Sequence, residues 1–274
     1  MTVLLLVFIS FVLPMTKRQR LYYLIELQYL GFRYHGWAKQ PEVKTVQGMV
    51  NRTLKFILED IAFKTLGAGR TDAMVSANQG YFELFTYEPL DFEKLLNDLN
   101  INLPHDIRAI AIKEVDAGFN VIQDVEEKEY AYLFSHSEKN HPFAAPFIVY
   151  IRENLDVTLM KQGAKLFEGT HDFRQYCYQA KKETSCVRTI NSSEIVINDI
   201  LTANFFPEES FVYKVKGRGF MRHQVRLIMG TLFSLGKGEI TLGEIEASLK
   251  NPEAKPLYYI APASGLMLGS VSYE

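Results

Sequence analysis

One short run concentrates reactive side chains in this 274-residue sequence: Gly67-Ala68-Gly69-Arg70-Thr71-Asp72, followed by Ala73. Asp72 is a carboxylate that can serve as nucleophile or base. Arg70 keeps its proton at neutral pH, so lying nearby it would hold Asp72 ionised. Gly67 and Gly69 permit backbone angles that other residues resist, and they let another backbone or a ligand come close. A surface turn with a local ion pair is the plainer alternative for this spacing. A phosphate-cradling loop fits poorly, because the lysine and hydroxyl spacing of a P-loop is missing.

A second set of chemistry-bearing residues lies between Phe211 and Arg226. It holds Lys214, Lys216, Arg218, Arg222 and Arg226 and no acidic residue, with Gly217, Gly219 and Phe220 among them. Cations interleaved with glycine and an aromatic suit a phosphate backbone and an unstacked base. A solvated strand end followed by a helix would carry the same residues.

The bulk composition bounds what these sets can do. The hydrophobic share is 47%, enough for a sizeable core and against wholesale disorder. The net charge is -2, which counts against a nucleic-acid binder unless charge is segregated, as it is in 211–226. There are only two cysteines, Cys177 and Cys186, which points to a reducing, cytoplasmic setting and excludes a disulfide scaffold. The six histidines form no i, i+4 ligand pair, so no metal is expected. Residues 1–20 read as an N-terminal extension. Val3 to Leu13 is apolar but too short to span a bilayer and has no positive segment before it. Met15, just before a basic stretch, is the expected initiator, and no membrane partner is expected.

Hydrophobic periodicity supplies the elements that must position these residues. Strands are predicted at Leu21–Tyr29, near Gly80–Phe85, and at Ile107–Val115, Tyr130–Ser135, Glu194–Leu201, Phe211–Lys216 and Leu266–Tyr273. Helices are predicted from Val46, capped by Thr45, and at Phe92–Leu99, Thr158–Phe167, Gln224–Leu235 and Leu242–Leu249. Thr241 and Glu244 form a capping box for the last of these. The segment Asp116 to Glu129 loses apolar periodicity and reads as a crossover. The pattern predicts an α+β fold of two similar halves, 21–118 and 119–274, with mainly antiparallel sheets flanked by helices.

Arg70-Thr71-Asp72-Ala73, with Val75 and Ala77, resembles the catalytic motif of TruA-type tRNA pseudouridine synthases. Collinear stretches strengthen the resemblance from Leu21 to the C-terminus. They include Tyr34-His35-Gly36-Trp37, Thr45-Val46-Gln47, Asn102-Leu103-Pro104, Tyr130-Ala131-Tyr132 and Gly169-Thr170-His171-Asp172-Phe173. Gly219-Phe220 with Gln224-Val225-Arg226, and Ala261-Pro262 with Gly265-Leu266, complete the set. The resemblance implies a cofactor-free isomerase acting on tRNA, a homodimer, and a cleft between the halves that holds Asp72. It implies that Asp72 acts at the ribose of a target uridine in the anticodon stem-loop. Arg70 would fill the space of the flipped base, Tyr130 would lie against the uracil, Arg226 would keep Asp72 charged, and Leu266 would wall the pocket. Lys214, Lys216 and Arg218 would build the RNA-facing wall. His171 and Asp172 are expected to fix a turn, and His35 to lie in an RNA-facing loop.

Two features depart from the family pattern. Met74 stands where glycine is common and would be strained if that position needs a positive φ. Asp124, Glu126, Glu127 and Glu129 approach Tyr130 where basic residues are usual, and carboxylates facing a cleft would repel phosphates. A relative that binds RNA without turnover, or one with another RNA target, is the alternative these features favour.

Overall fold

The computed structural model describes residues 19–181, 183–251 and 259–273. All but the last two residues of the N-terminal extension, including Met15, lie outside them. The strands are β1 (Leu21–Tyr29), β2 (Lys64–Gly67), β3 (Ser76–Thr86), β4 (Ile107–Glu114), β5 (Val125–His136), β6 (Val149–Ile151), β7 (Gly169–Asp172), β8 (Val187–Ile190), β9 (Ser192–Ile197), β10 (Phe211–Gly217) and β11 (Leu266–Tyr273). The helices are α1 (Val46–Leu58), α2 (Phe92–Asn102), α3 (Val157–Lys165), α4 (Gln224–Gly236) and α5 (Leu242–Lys250).

Nine strands form one sheet in the order β4-β1-β3-β11-β5-β10-β9, with β2 added to β3 and β6 to β5. Strands β7 and β8 pair separately. Pairing is antiparallel except between β11 and β3 and between β5 and β6. The sheets expected for the two halves are thus one continuous sheet. Strand β11 joins them, lying between β3 and β5.

The helices cover one face, and two cores lie under them. In the first half, Tyr23, Ile25, Leu27 and Tyr29 alternate along β1 and pack against Val46, Val50 and Leu54 of α1 and Leu95 and Leu99 of α2. Thr45 starts α1 by accepting a 3.2 Å hydrogen bond from the Gly48 N–H. In the second half, Tyr132 and Phe134 of β5 and Tyr213 and Val215 of β10 pack against Met160 and Ala164 of α3 and the buried length of α4. Burying one such side chain stabilises the fold by about 1.5–3 kcal/mol. Thr241 and Glu244 close the capping box of α5. The opposite face of the second half carries only a small cluster: Ala131, Leu133, Ile148 and Val212, with no helix over it.

Strand β5 begins at Val125, inside the segment that the loss of apolar alternation marks as crossover. Its first residues are polar because they find polar partners across the sheet: Glu129 pairs with Lys216, Glu127 accepts from Asn191, and Lys128 donates to the Ala68 carbonyl. Strands β2, β6, β7 and β8 are three or four residues long, too short to show a period in sequence.

Candidate active site

Asp72 sits in the loop between β2 and β3. This loop is held by the Tyr34–Trp37 segment. The Trp37 N–H donates to the Thr71 carbonyl at 3.2 Å, and the Met74 N–H donates to the Tyr34 carbonyl at 3.0 Å. Gly36 makes this contact possible: its φ is +89°, and a Cβ there would meet the Thr71 carbonyl oxygen at 2.5 Å. Gly67 closes β2 directly beneath the Trp37 indole, where a Cβ would collide with the ring. Of the two expected roles for Gly67, close approach is the one used; its φ is not positive. Met74 does adopt a positive φ, +68°, so it holds a conformation that suits glycine.

The second half supplies the partners of Asp72. Arg226 lies in the first turn of α4, its Nε donating to the Ala261 carbonyl at 2.8 Å and its other nitrogen reaching Asp72 Oδ2 at 3.3 Å. His223, just before α4, places Nε2 3.3 Å from Asp72 Oδ1. Each carboxylate oxygen thus has one partner. The side chains are half-buried: 29% exposed for Asp72, 15% for Arg226 and 17% for His223. Coulomb attraction is therefore less screened here than at the open surface. Burial lowers the basicity of His223, the Asp72 charge opposes this, and Arg226 and Arg222 add to it.

A shallow pocket open to solvent adjoins this loop and is lined by Tyr29, Trp37, Ala68–Thr71, Gly80, Tyr81, Lys128, Tyr130 and Leu268. It lies where β3 changes neighbour, pairing β11 at Ser76 and Ala77 and β2 from Phe82 onward. Arg70 is exposed at this pocket. Tyr29 Oη lies 3.0 Å from Thr71 Oγ1 and ties the loop to β1. Tyr130 stands edge-on to Phe220, with ring centres 5.2 Å apart. Burial, and secondarily the Asp72 charge, push its hydroxyl up to about 12. At neutral pH it is a phenol, able to donate and accept a hydrogen bond.

The structure brings Asp72, Arg70, Tyr130 and Arg226 to one region and separates them from other expected site residues. Leu266 is buried in the core beneath, opposite Tyr132, and the leucine lining the pocket beside Tyr130 is Leu268. Lys214 and Lys216 are not in the cleft wall. Alternation along β10 sends Tyr213 and Val215 to the helix-covered face and Val212, Lys214 and Lys216 to the other. There Lys214 pairs with Asp199 at 2.9 Å and Lys216 with Glu129 at 3.1 Å. Arg218 is exposed beyond the end of β10 and donates to the Gln123 carbonyl at 3.2 Å.

The same alternation accounts for the acidic approach to Tyr130. Glu129 is paired with Lys216, Glu127 accepts from Asn191 at 2.8 Å, and Asp124 accepts from the Asn120 N–H at 2.7 Å. Lys128 points the other way, into the pocket, and donates to the Ala68 carbonyl at 2.9 Å. Burial lowers its basicity. The carboxylates of Glu127 and Glu129 thus turn away from Asp72. His171 and Asp172 hold a turn, with contacts to the Glu168 carbonyl at 2.8 Å and the Arg174 N–H at 2.9 Å. His35 is exposed.

His223 and Lys128 are the site residues that sequence reasoning missed. One signal was available for His223: it precedes Arg226 by three residues at a helix start, which places both on one side of the first turn. Among the described residues there is no cluster of three potential metal ligands and no helix long and apolar enough to cross a membrane.

A family model described as tRNA pseudouridine synthase matches residues 164–274. The chain is 32% identical over 252 residues to tRNA pseudouridine synthase A of Dictyoglomus thermophilum, covering 91% of this chain and 98% of that protein. It is 33% identical over 250 residues to the protein of the same name from Aquifex aeolicus, again covering 91% and 98%. This chain belongs to the tRNA pseudouridine synthase A family. Similarity at this level extends to Listeria monocytogenes, whose tRNA pseudouridine synthase A is 29% identical over 249 residues. The matched segment 164–274 of the family model contains Arg226 and His223, and the full-length relatives span the Asp72 loop as well.

Proposed function

We propose that this enzyme converts uridine to pseudouridine in the anticodon stem-loop of tRNA, with Asp72 as nucleophile. The observation that carries the reading is the half-buried Asp72 carboxylate, held on one oxygen by Arg226 and on the other by His223, near the partly buried Tyr130 at the pocket. Asp72 attacks C1′ of the ribose, and the bond from C1′ to N1 breaks. The freed uracil turns and bonds to C1′ through C5, releasing the carboxylate. C5 then loses its proton and N1 takes one up, so the atoms balance as an isomerisation with no co-reactant. Reaching C1′ requires the nucleotide to leave its stack. Arg70, exposed at the pocket, fills the vacated space, and the Tyr130 ring gives the uracil a flat face. Stacking of that kind contributes about 1–3 kcal/mol per base. The Tyr130 hydroxyl lies on the route for the C5 proton. We take 21–118 and 119–274 as the working halves, with the cleft between them.

The deciding experiment incubates the protein with unmodified tRNA transcripts and maps pseudouridine, comparing wild type with Asp72→Ala. The expected result is a product in the anticodon arm that vanishes in the variant. RNA binding without product would refute the enzyme reading, and product elsewhere would refute only the choice of arm. A homodimer in the cytoplasm completes the proposal. Exposed Phe143, edge-on to Phe205 and through it to Phe206 at the border of the small apolar cluster of the second half, together with exposed Ile197, suits a second copy of this chain. Sedimentation at monomer mass would remove that part.

A further inference from the structure

We propose that His223 is a positioning residue for the Asp72 carboxylate, its ring held by Tyr178, and that it makes turnover sensitive to mild acid. This rests on the nucleophile reading above. Four observations meet at this residue. Its Nε2 is 3.3 Å from Asp72 Oδ1 while Arg226 takes Oδ2, so the carboxylate is held on both oxygens. Its ring stacks on Tyr178, with centres 4.9 Å apart and planes within 15°. Its backbone is left-handed, φ +59°, a conformation that non-glycine residues rarely adopt. Its Nδ1 is buried with no partner.

The orphaned Nδ1 defines the working state of the ring. A neutral imidazole with its proton on Nε2 turns that N–H side towards Asp72, 3.3 Å away, and leaves a bare lone pair at Nδ1. A second proton would put an N–H at a buried position with no acceptor, which is costly. The charged groups facing the ring are Asp72, Arg226 and Arg222; of these only Asp72 favours the imidazolium. A neutral donor orients the carboxylate and leaves it nucleophilic. An imidazolium would draw the carboxylate into a full ion pair and weaken its attack on C1′.

Tyr178 brings in a second segment. Its N–H donates to the Arg222 carbonyl at 3.1 Å, and the Arg222 guanidinium lies 4.9 Å from its ring centre. The loop after β7 is thereby fastened to the start of α4, and the position of the loop sets the angle of the imidazole. No catalytic contact is assigned to Tyr178.

The test uses the full chain, an unmodified tRNA transcript and His223→Asn, chosen because asparagine tolerates a positive φ. Losing this polar contact to a charged group should lower kcat about ten- to hundredfold, with KM for tRNA within about twofold. The acid-side decline of kcat should move to lower pH in this variant. Tyr178→Leu should lower kcat by a smaller factor with KM unchanged. An independent readout follows the imidazole by NMR. His223 should titrate below the ordinary value of about 6.5. It should titrate lower still in Asp72→Asn, because the carboxylate holds it up. Wild-type kcat and pH profile in His223→Asn, or a His223 titration indifferent to Asp72→Asn, would overturn the proposal. If wild type modifies no tRNA, the nucleophile reading fails on its own, and the imidazole titration still decides whether His223 and Asp72 are coupled.

Discussion

The two faces of the central sheet use charge in different ways. On the helix-covered side, Asp72 meets Arg226 and His223 across the two halves of the chain, all three less than a third exposed. On the open side, Lys214 meets Asp199 and Lys216 meets Glu129, with Asp199 64% and Lys216 41% exposed. Distances are similar: 3.3 Å on the first face, 2.9 and 3.1 Å on the second. What differs is the water around them. Exposed pairs are screened and contribute about 0–1 kcal/mol. A half-buried carboxylate with two partners is held in a chosen orientation, which is what a nucleophile needs.

The largest effect that separates the faces is expected at Arg226. Replacing it with glutamine leaves Asp72 with His223 alone and removes a charge-assisted contact of roughly 1.5–3 kcal/mol. We expect kcat/KM to fall about ten- to a hundredfold in a pseudouridine-forming assay. A rate near wild type would show that the cross-half contact is structural only. Next in size is Met74→Gly, which relieves a left-handed residue in the Asp72 loop. Thermal unfolding should show a gain of up to about 1 kcal/mol, less the entropy that glycine adds to the unfolded chain. A loss would mean that the Met74 side chain contributes more packing than its backbone costs. The smallest effect is expected from Lys214→Ala with Lys216→Ala. Their ion pairs are exposed, so stability should change by no more than about 1 kcal/mol per pair. Binding of tRNA should keep nearly the same salt dependence, since each lost phosphate contact would lower the slope by roughly one unit. A clearly flatter slope would place the open face against RNA.

Much of the fold was legible because the periods are strong. Strand β1 and strand β11 match their predicted bounds, and α1 begins after Thr45 as its cap requires. The reactive loop was legible from residue types, and Arg226 from the resemblance. Other parts depended on facts that composition does not carry. The cluster Lys214, Lys216, Arg218 looks like one patch in sequence, yet a strand with period two sends alternate residues to opposite faces. The acidic run before Tyr130 looks like a barrier to RNA, but pairing with β10 turns Glu129 away and Lys128 inward. His223 has no sequence mark of its left-handed backbone. Leu266 and Leu268 differ by one pleat on the same side, and the register that sets Leu266 opposite Tyr132 and Leu268 opposite Tyr130 brings only the latter to the pocket.

Strand β11 is made after every other strand described, yet it occupies the middle of the sheet. Until its eight residues emerge, the neighbouring edges of β3 and β5 have no strand to join them. The first half can form its local contacts during synthesis, while Asp72 waits for residues about 150 positions later. Such distant contacts raise the loop-closure cost and slow folding. Two unpaired edges also offer a template for pairing with other chains. Assembly of the Asp72 site is therefore expected to coincide with the last step of sheet closure, and a chain cut short before Leu266 is expected to lose activity and to aggregate.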